Sequence, residues 1–360
     1  MILAEQLHSE PSGAAIRAMA EVTRETRSLT KGLRILAVHF VLYAATLAGA
    51  IAPLPTGVSL FCAIANGFLI GLLFIIGHDC GHNSFVPGTT WNRWLGRIAF
   101  VPSAHSLSLW RLFHNERHHA RTNLKAFDDV WTPMSPGDYS RAPWWRRALE
   151  RIYRCPAGPI LYYYKEFWPH HVLLPLATEV RHDWKRHLPD SSFAVAGLMF
   201  TVIAIAVAGK IVSPQSSLLH VLLFGWAIPF ALWNYLMALT VYVNHTHPAI
   251  PWFDDEESWS KCRSLAPHTA SVEMPVNIAP LWTNLLLHTS HHVQTGIPVY
   301  AMPEAEKALK PGYAHMLEYR FTPRAYFQIC RICKLFDYQA MCWTDFSGRP
   351  TTPRLIPRSA

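Results

Sequence analysis

Charge is what this sequence has little of. Asp, Glu, Lys and Arg make up 16% of its 360 residues, where a soluble domain carries about 25%. With 51% hydrophobic residues alongside, that shortage excludes an ordinary soluble globular chain. Disulfide architecture is missing too. Seven cysteines, at 62, 80, 155, 262, 330, 333 and 342, form no regular framework. Cys330 and Cys333 make a C-x-x-C with no second pair, which does not specify a zinc site, and the thiols read as reduced in a cytosolic compartment. The sequence has no Gly-rich dinucleotide fingerprint, no haem-binding segment and no four-Cys iron–sulfur set, so it brings no electron carrier of its own. It has no nucleic-acid motif, no internal repeat and no low-complexity tract. The net charge of +8 therefore needs another explanation than nucleic acid.

What is present in place of charge is length of apolar chain. Four runs, about 33–52, 58–77, 193–212 and 218–243, are each near the ~20 residues that cross a bilayer as a helix. Pro53 and Pro55 break the first pair, and Ser213-Pro214 breaks the second. Two helical hairpins with short turns are expected. The turns 53–57 and 213–217 contain no Lys or Arg, while 78–192 contains fifteen. The positive-inside rule then places both termini and the middle segment in the cytoplasm. Lys210, near the outer end of the third run, snorkels. The expected organisation is a cytoplasmic segment 1–32, a membrane domain 33–343 with a helical cytoplasmic cap (78–192 and 244–343), and a tail 344–360. Residues 1–32 are polar and do not read as a signal peptide. Residues 94–113, apolar but interrupted by Pro102 and His105, read as interfacial or re-entrant.

The 20 histidines are not spread evenly. His78-Asp79-Cys80-Gly81-His82, His114-Asn115-Glu116-Arg117-His118-His119 and His288-Thr289-Ser290-His291-His292 all fall at or beyond the cytoplasmic ends of the expected helices. His245-Thr246-His247 sits where the fourth run ends. Positions i and i+4 share a helix face, so His78 and His82 converge, and so do the three histidines of H-x-x-H-H. Imidazole suits iron, copper, zinc and nickel and is mostly neutral at physiological pH. Eight or nine such ligands exceed what one ion holds, so two metals are implied. The second cluster is irregular. Its H-x-x-x-H-H spacing puts i+5 about 140° from i on a regular helix, so either a π-bulge or a helix end restores convergence, or His114 plays a looser part. Asp79 lies about 100° from His78 and is placed to orient a ligand imidazole rather than to bind metal. Asp128 and Asp129 are similar candidates, or else a solvated acidic turn.

These boxes resemble those of the membrane-bound fatty acid desaturases. "HDCGHNSF" (78–85), "WRLFHNERHHARTN" (110–123), "VYVNHTHPAIPWF" (241–253) and "HTSHHVQTGIPVY" (288–300) occur in that family's order, and the likeness covers roughly residues 35–340. It is greatest to the omega-6 (Δ12) acyl-lipid desaturases. The resemblance implies two non-haem iron ions held by His78, His82, His114, His118, His119, His288, His291 and His292. A further ligand near the end of the last span matches His245, with His247 and Asn244 as substitutes. It also implies an all-α membrane protein that uses O2 to introduce a cis double bond into a lipid acyl chain.

An acyl methylene has no acidic proton and no leaving group, so its oxidation requires a metal-generated oxidant. Trp110, Phe113 and Trp131 are candidates to line an acyl channel, although an interfacial aromatic belt accounts for such residues as well. A separate electron donor, ferredoxin-like or cytochrome-like, is required. Arg93, Arg97, Arg146, Arg147, Arg151, Lys185 and Arg186 suit either an acidic donor or anionic lipid headgroups. The same chemistry also permits a hydroxylase or ketolase acting on an alkane, acyl chain or carotenoid. A metal transporter is disfavoured because the spans hold almost no ionisable residues, and a zinc protease because no H-E-x-x-H is present. The location expected is a bacterial inner membrane.

Overall fold

A computed structural model describes residues 11–262, 265–277, 279–313 and 316–356 of the chain. The chain is mostly helical and divides into two compact units. The apolar unit comprises Thr26–Leu112 and Tyr163–Ala238. The histidine unit comprises Met1–Glu25, Phe113–Tyr162 and Leu239–Ala360. Of the expected terminal segments, residues 1–10 and 357–360 lie outside the described residues.

After α1 (Gly13–Thr26) come α2 (Leu29–Ile51) and α3 (Thr56–Gly81). Ser28 caps α2 by accepting from Lys31 N–H, which satisfies one of the donors that a helix start leaves without an intrahelical partner. Two short helices follow, α4 (Thr89–Ala99) and α5 (Leu107–Trp110). A turn at 100–106 separates them, so the interrupted run 94–113 is no span. Helix α5 runs on in π geometry as Arg111–His119. Next are α6 (Pro136–Arg141), α7 (Trp144–Tyr153), α8 (Gly158–Tyr162, continuing in π geometry over Tyr163–Leu173) and α9 (Trp184–Val212). Then α10 (Leu218–Leu222) leads through a π turn, Leu223–Ala227, into α11 (Ile228–His245). The remaining helices are α12 (Glu256–Cys262), α13 (Pro280–Leu285), α14 (His288–Val293), α15 (Met302–Leu309) and α16 (Pro323–Ile332).

Among the described residues, four helical stretches are long and apolar enough to cross a membrane: Leu29–Ile51, Thr56–Gly81, Trp184–Val212 and Leu218–His245. Each matches an expected run but is longer than it. Hydropathy marks the apolar stretch, whereas a helix continues until its backbone bonds or caps run out. Thus α9 begins nine residues before the expected 193, carries Pro189 within it, and its Asp190 accepts from Arg97 Nε at 2.7 Å.

Within the apolar unit α2 lies against α3. Asn66 Nδ2 donates to Tyr43 O at 2.8 Å, and a Cβ added at Gly49 would stand 2.7 Å from Cys62 Sγ. Ser213 Oγ donates to Ile51 O at 2.6 Å, satisfying one carbonyl at the end of α2. The core of this unit is aromatic: Phe74, Phe100 and Trp233 surround the His105 ring at 5.0–5.5 Å. His105, which interrupts the apolar run 94–113, is buried. Its Nδ1 lies 2.8 Å from Ser103 O and its Nε2 2.9 Å from Tyr163 OH. Burial pushes its pKa down to about 3, so the ring is neutral.

The histidine unit adds to its helices two small sheets that hydropathy does not reveal. Strands β1 (Ala270–Glu273) and β2 (Leu317–Arg320) pair in parallel with Ala270 opposite Leu317. Strands β3 (Leu335–Asp337) and β4 (Cys342–Thr344) pair antiparallel with Phe336 opposite Trp343. The expected tail beginning at 344 is tied to this unit by Thr351 N–H donating to Trp343 O and Leu355 N–H to Met341 O, both at 2.8 Å.

Candidate metal centre

The second histidine box sets the geometry of the histidine unit. Residues Arg111–His119 form a π-helix, whose i→i+5 bonding brings residue i+5 back toward residue i. His114 and His119 accordingly face each other, with Nε2 atoms 3.1 Å apart. Of the two ways to restore convergence, the wider helix is the one found.

Asp128 then fixes His118. Its Oδ1 lies 2.9 Å from His118 Nδ1 and accepts from Val130 N–H at 3.0 Å, while Oδ2 accepts from Asn123 N–H at 2.8 Å. Both side chains are buried. A carboxylate at Nδ1 favours the tautomer that carries its proton there, leaving the Nε2 lone pair for a metal. Asp129 behaves otherwise: its carboxylate receives Arg117 Nε at 2.7 Å.

Box three arrives from a different direction. Strand β1 receives it, with Val272 N–H donating to Leu286 O at 2.8 Å and Thr289 N–H to Ser271 Oγ at 3.3 Å. Helix α14 starts at His288 and presents its three histidines within little more than one turn. His288 Nε2 lies 2.8 Å from His245 Nε2 and 3.1 Å from His292 Nε2. The rings of His118 and His245 are 4.5 Å apart, and those of His118 and His292 5.0 Å. The ligand atoms of His118, His245, His288 and His292 all lie within 4.8 Å of one another.

That donor set fits a metal ion. Nitrogens bound at ~2.1 Å stand roughly 3.0–3.4 Å apart around one ion, close to the 2.8 and 3.1 Å that separate His288 from His245 and His292. Burial comes first, and the neighbouring His119, His288, His118 and His245 second, in holding the His292 imidazole well below its usual range, in the neutral form that binds metal. A second convergence in this unit joins His119 Nε2 to His291 Nε2 at 3.1 Å, in addition to His114. Of the substitutes for His245, His247 accepts from Ala249 N–H at 3.1 Å and packs its ring 5.3 Å from Tyr319, away from the four. Asn244 is buried.

The first box lies in the apolar unit, at the end of α3. The His78 and His82 rings are 4.7 Å apart, as i and i+4 on one face require. His78 Nδ1 is 3.2 Å from Asp79 Oδ1. Arg111, which sequence reading did not single out, closes this helix. It donates to Gly81 O at 3.0 Å, Cys80 O at 3.1 Å and Asn83 Oδ1 at 2.9 Å, a cation on the carbonyl end of a helix. Its position 30 residues along the chain gives no local signal.

The three aromatic candidates are all packed. Trp110 sits 5.1 Å from the His78 ring and 5.2 Å from the His82 ring, against Gly81. Phe113 is buried, with the Arg117 guanidinium 5.8 Å from its ring. Trp131, at φ 61, stacks on Tyr162 at 4.2 Å and meets Tyr242 edge-on at 4.8 Å. Glu306 is a further residue that sequence did not flag. It accepts the hydroxyl of Ser290, which stands between the box-three histidines.

Comparison with known proteins agrees with this chemistry. The sn-1 oleoyl-lipid 12-desaturase of Picosynechococcus sp. is 29% identical over 274 residues, covering 73% of each chain. The chloroplastic omega-6 fatty acid desaturase of Glycine max is 27% identical over 276 residues, 76% of this chain and 61% of that one. The sn-1 acyl-lipid omega-3 desaturase (ferredoxin) of Synechocystis sp. is 26% identical over 281 residues, 77% of this chain and 74% of that one. A family model described as fatty acid desaturase matches residues 51–323. The chain belongs to the fatty acid desaturase family.

Proposed function

We propose that this membrane oxidoreductase introduces a cis double bond into the acyl chain of a membrane lipid, at the Δ12 (omega-6) position, with two iron ions, O2 and electrons from a separate donor. The observation that carries the reading is the set His118, His245, His288 and His292, the first three buried and the last partly so, with Asp128 on His118, on a chain of this family. The names of the relatives in Picosynechococcus and Glycine support the Δ12 position. The ferredoxin-dependent relative supports an iron–sulfur donor.

Bound iron supplies an oxidant, made from O2, strong enough to take hydrogen from an unactivated methylene. The chain's own residues do the rest. Asp128 keeps the His118 proton on Nδ1. Burial, with the neighbouring histidines, keeps the His292 imidazole neutral. His114, His119 and His291 are the proposed ligands of the second ion in the histidine unit, and His78 and His82 keep the ligand role that the likeness of their box implies. Overall, two adjacent CH2 groups lose two hydrogens. O2, two electrons from the donor and two protons from solvent complete the formation of two waters. The charge distribution along the chain supports an orientation with both termini and the histidine boxes cytoplasmic.

Purified chain in oleoyl-lipid vesicles, with reduced ferredoxin, tests this. One O2 consumed per double bond formed, with two irons per chain, is expected. A hydroxylated or ketonic product would replace desaturation by oxygen insertion. Activity with zinc in place of iron would overturn the metal assignment.

A further inference from the structure

Helix α7, Trp144–Tyr153, in the histidine unit, has two unlike sides. At about 100° per residue, Glu150 and Tyr153 fall on one side with Arg146 and Leu149. That side is fixed to the unit: Arg154 Nε and Glu150 Oε1 pair at 2.9 Å with both side chains buried, and Tyr153 is fully buried. The opposite side carries Trp144, Trp145, Ala148 and Ile152. Trp144 is 75% exposed, Trp145 52% and Ile152 47%. Arg147 and Arg151, both exposed, border this apolar arc. Arg151 Nε donates to Tyr139 OH at 2.7 Å, which holds the cation at the edge of the arc. The one carboxylate of the helix, Glu150, is on the buried side.

We propose that the exposed side of α7 is a docking surface for an anionic lipid membrane, with the tryptophans at the headgroup–acyl boundary and Arg147 and Arg151 on the headgroups. Two adjacent exposed indoles suit a site whose one end is apolar and the other wet. Basic residues flanking an apolar arc are the pattern of a helix lying in the interface plane, and each such cation contributes to attraction by anionic lipid. An acidic protein would match the arginines but would leave the apolar arc without a partner. The pattern recurs on α4 in the apolar unit, where Trp91, Trp94 and Ile98 are 49%, 53% and 42% exposed and Arg93 is the exposed cation of the same helix. The proposal rests on the membrane-lipid substrate put forward above, since it gives the histidine unit its own hold on the surface that contains that substrate.

The test places a nitroxide on the full chain at Ala148→Cys, the mildest change on the arc, and separately at Trp145→Cys. Labelled wild type supplies the background of the half-buried Cys62 and Cys155. Relaxation by O2 and by a water-soluble nickel chelate is measured in phosphatidylcholine vesicles with and without phosphatidylglycerol. The expected result is stronger relaxation by O2 than by nickel at both sites when anionic lipid is present, with the order reversed on adding Arg147→Glu and Arg151→Glu. Nickel dominating in every vesicle would overturn the proposal. So would a label that lipid leaves unchanged and that only an acidic electron donor shields, which would make α7 a protein-docking surface. Label depth is read independently of turnover, so failure here is distinct from failure of the desaturase reading.

Discussion

Asp128 accepts three hydrogen bonds with its carboxylate fully buried. Its partner His118 has one nitrogen committed to it, which decides what the other nitrogen can do. Asp128→Asn keeps the shape but removes the charge at Nδ1. Loss of such a partner costs about 10–100-fold in metal affinity or activity. Iron titration of the purified variant should show that loss while the protein remains folded, and a variant that binds iron as tightly as wild type would remove Asp128 from the site. Glu306 makes a prediction in pH. Burial, ahead of its neighbour Glu318, holds its carboxyl above the ordinary value of about 4.5. Below that value the folded and unfolded states are both protonated and the contribution to stability is complete. As pH rises through the folded value the unfolded chain releases the proton first, so stability falls. Thermal unfolding in detergent should therefore show Glu306→Gln gaining on wild type from pH 5 to pH 8, and a constant difference would contradict the assignment. Sequence separated Asp128 from Asp129 only as two equal candidates. What distinguishes them is Arg117, which takes Asp129, and the turn at Asn123, which aims Asp128 inward. Neither Arg111 nor Glu306 was legible, because each acts on a box distant from it along the chain.

At the scale of elements, the π-helix of Arg111–His119 resolves the spacing that a regular helix could not accommodate. The irregularity was visible in the count of residues between His114 and His118, and its geometric resolution needed the backbone. Helix α3 offers an internal contrast. A Cβ at Gly81 would meet the Trp110 ring at 2.0 Å, while one at Gly71 meets nothing within 4 Å. Overpacking of this kind costs about 1–3 kcal/mol, whereas Gly→Ala in an open helical position gains up to about 1 kcal/mol. Gly81→Ala should lower the unfolding temperature, and Gly71→Ala should leave it level or raise it. Equal effects of the two would show that Trp110 does not rest on the end of α3 as described. The span boundaries illustrate what hydropathy omits. It located all four long helices, yet α9 starts well before its apolar stretch because Asp190, held by Arg97, belongs to the helix without being lipid-like. The small sheets were not anticipated, because three or four residues carry too little periodicity to register.

At the scale of the whole molecule, composition, spans and boxes converge on one chemistry. A chain with few charges, four membrane-length helices and clustered histidines is suited to oxidising a substrate that dissolves in lipid. The exposed indoles of α7 extend that reading to the histidine unit. The most direct measurement is fatty acid analysis by gas chromatography–mass spectrometry, with double bonds located, in a bacterium that makes only mono-unsaturated chains and supplies a ferredoxin. The account predicts new dienes carrying a Δ12 double bond with the wild-type chain and none with His291→Ala expressed at the same level. Unchanged acyl chains despite folded, iron-loaded protein, or dienes that persist in the His291→Ala strain, would contradict it.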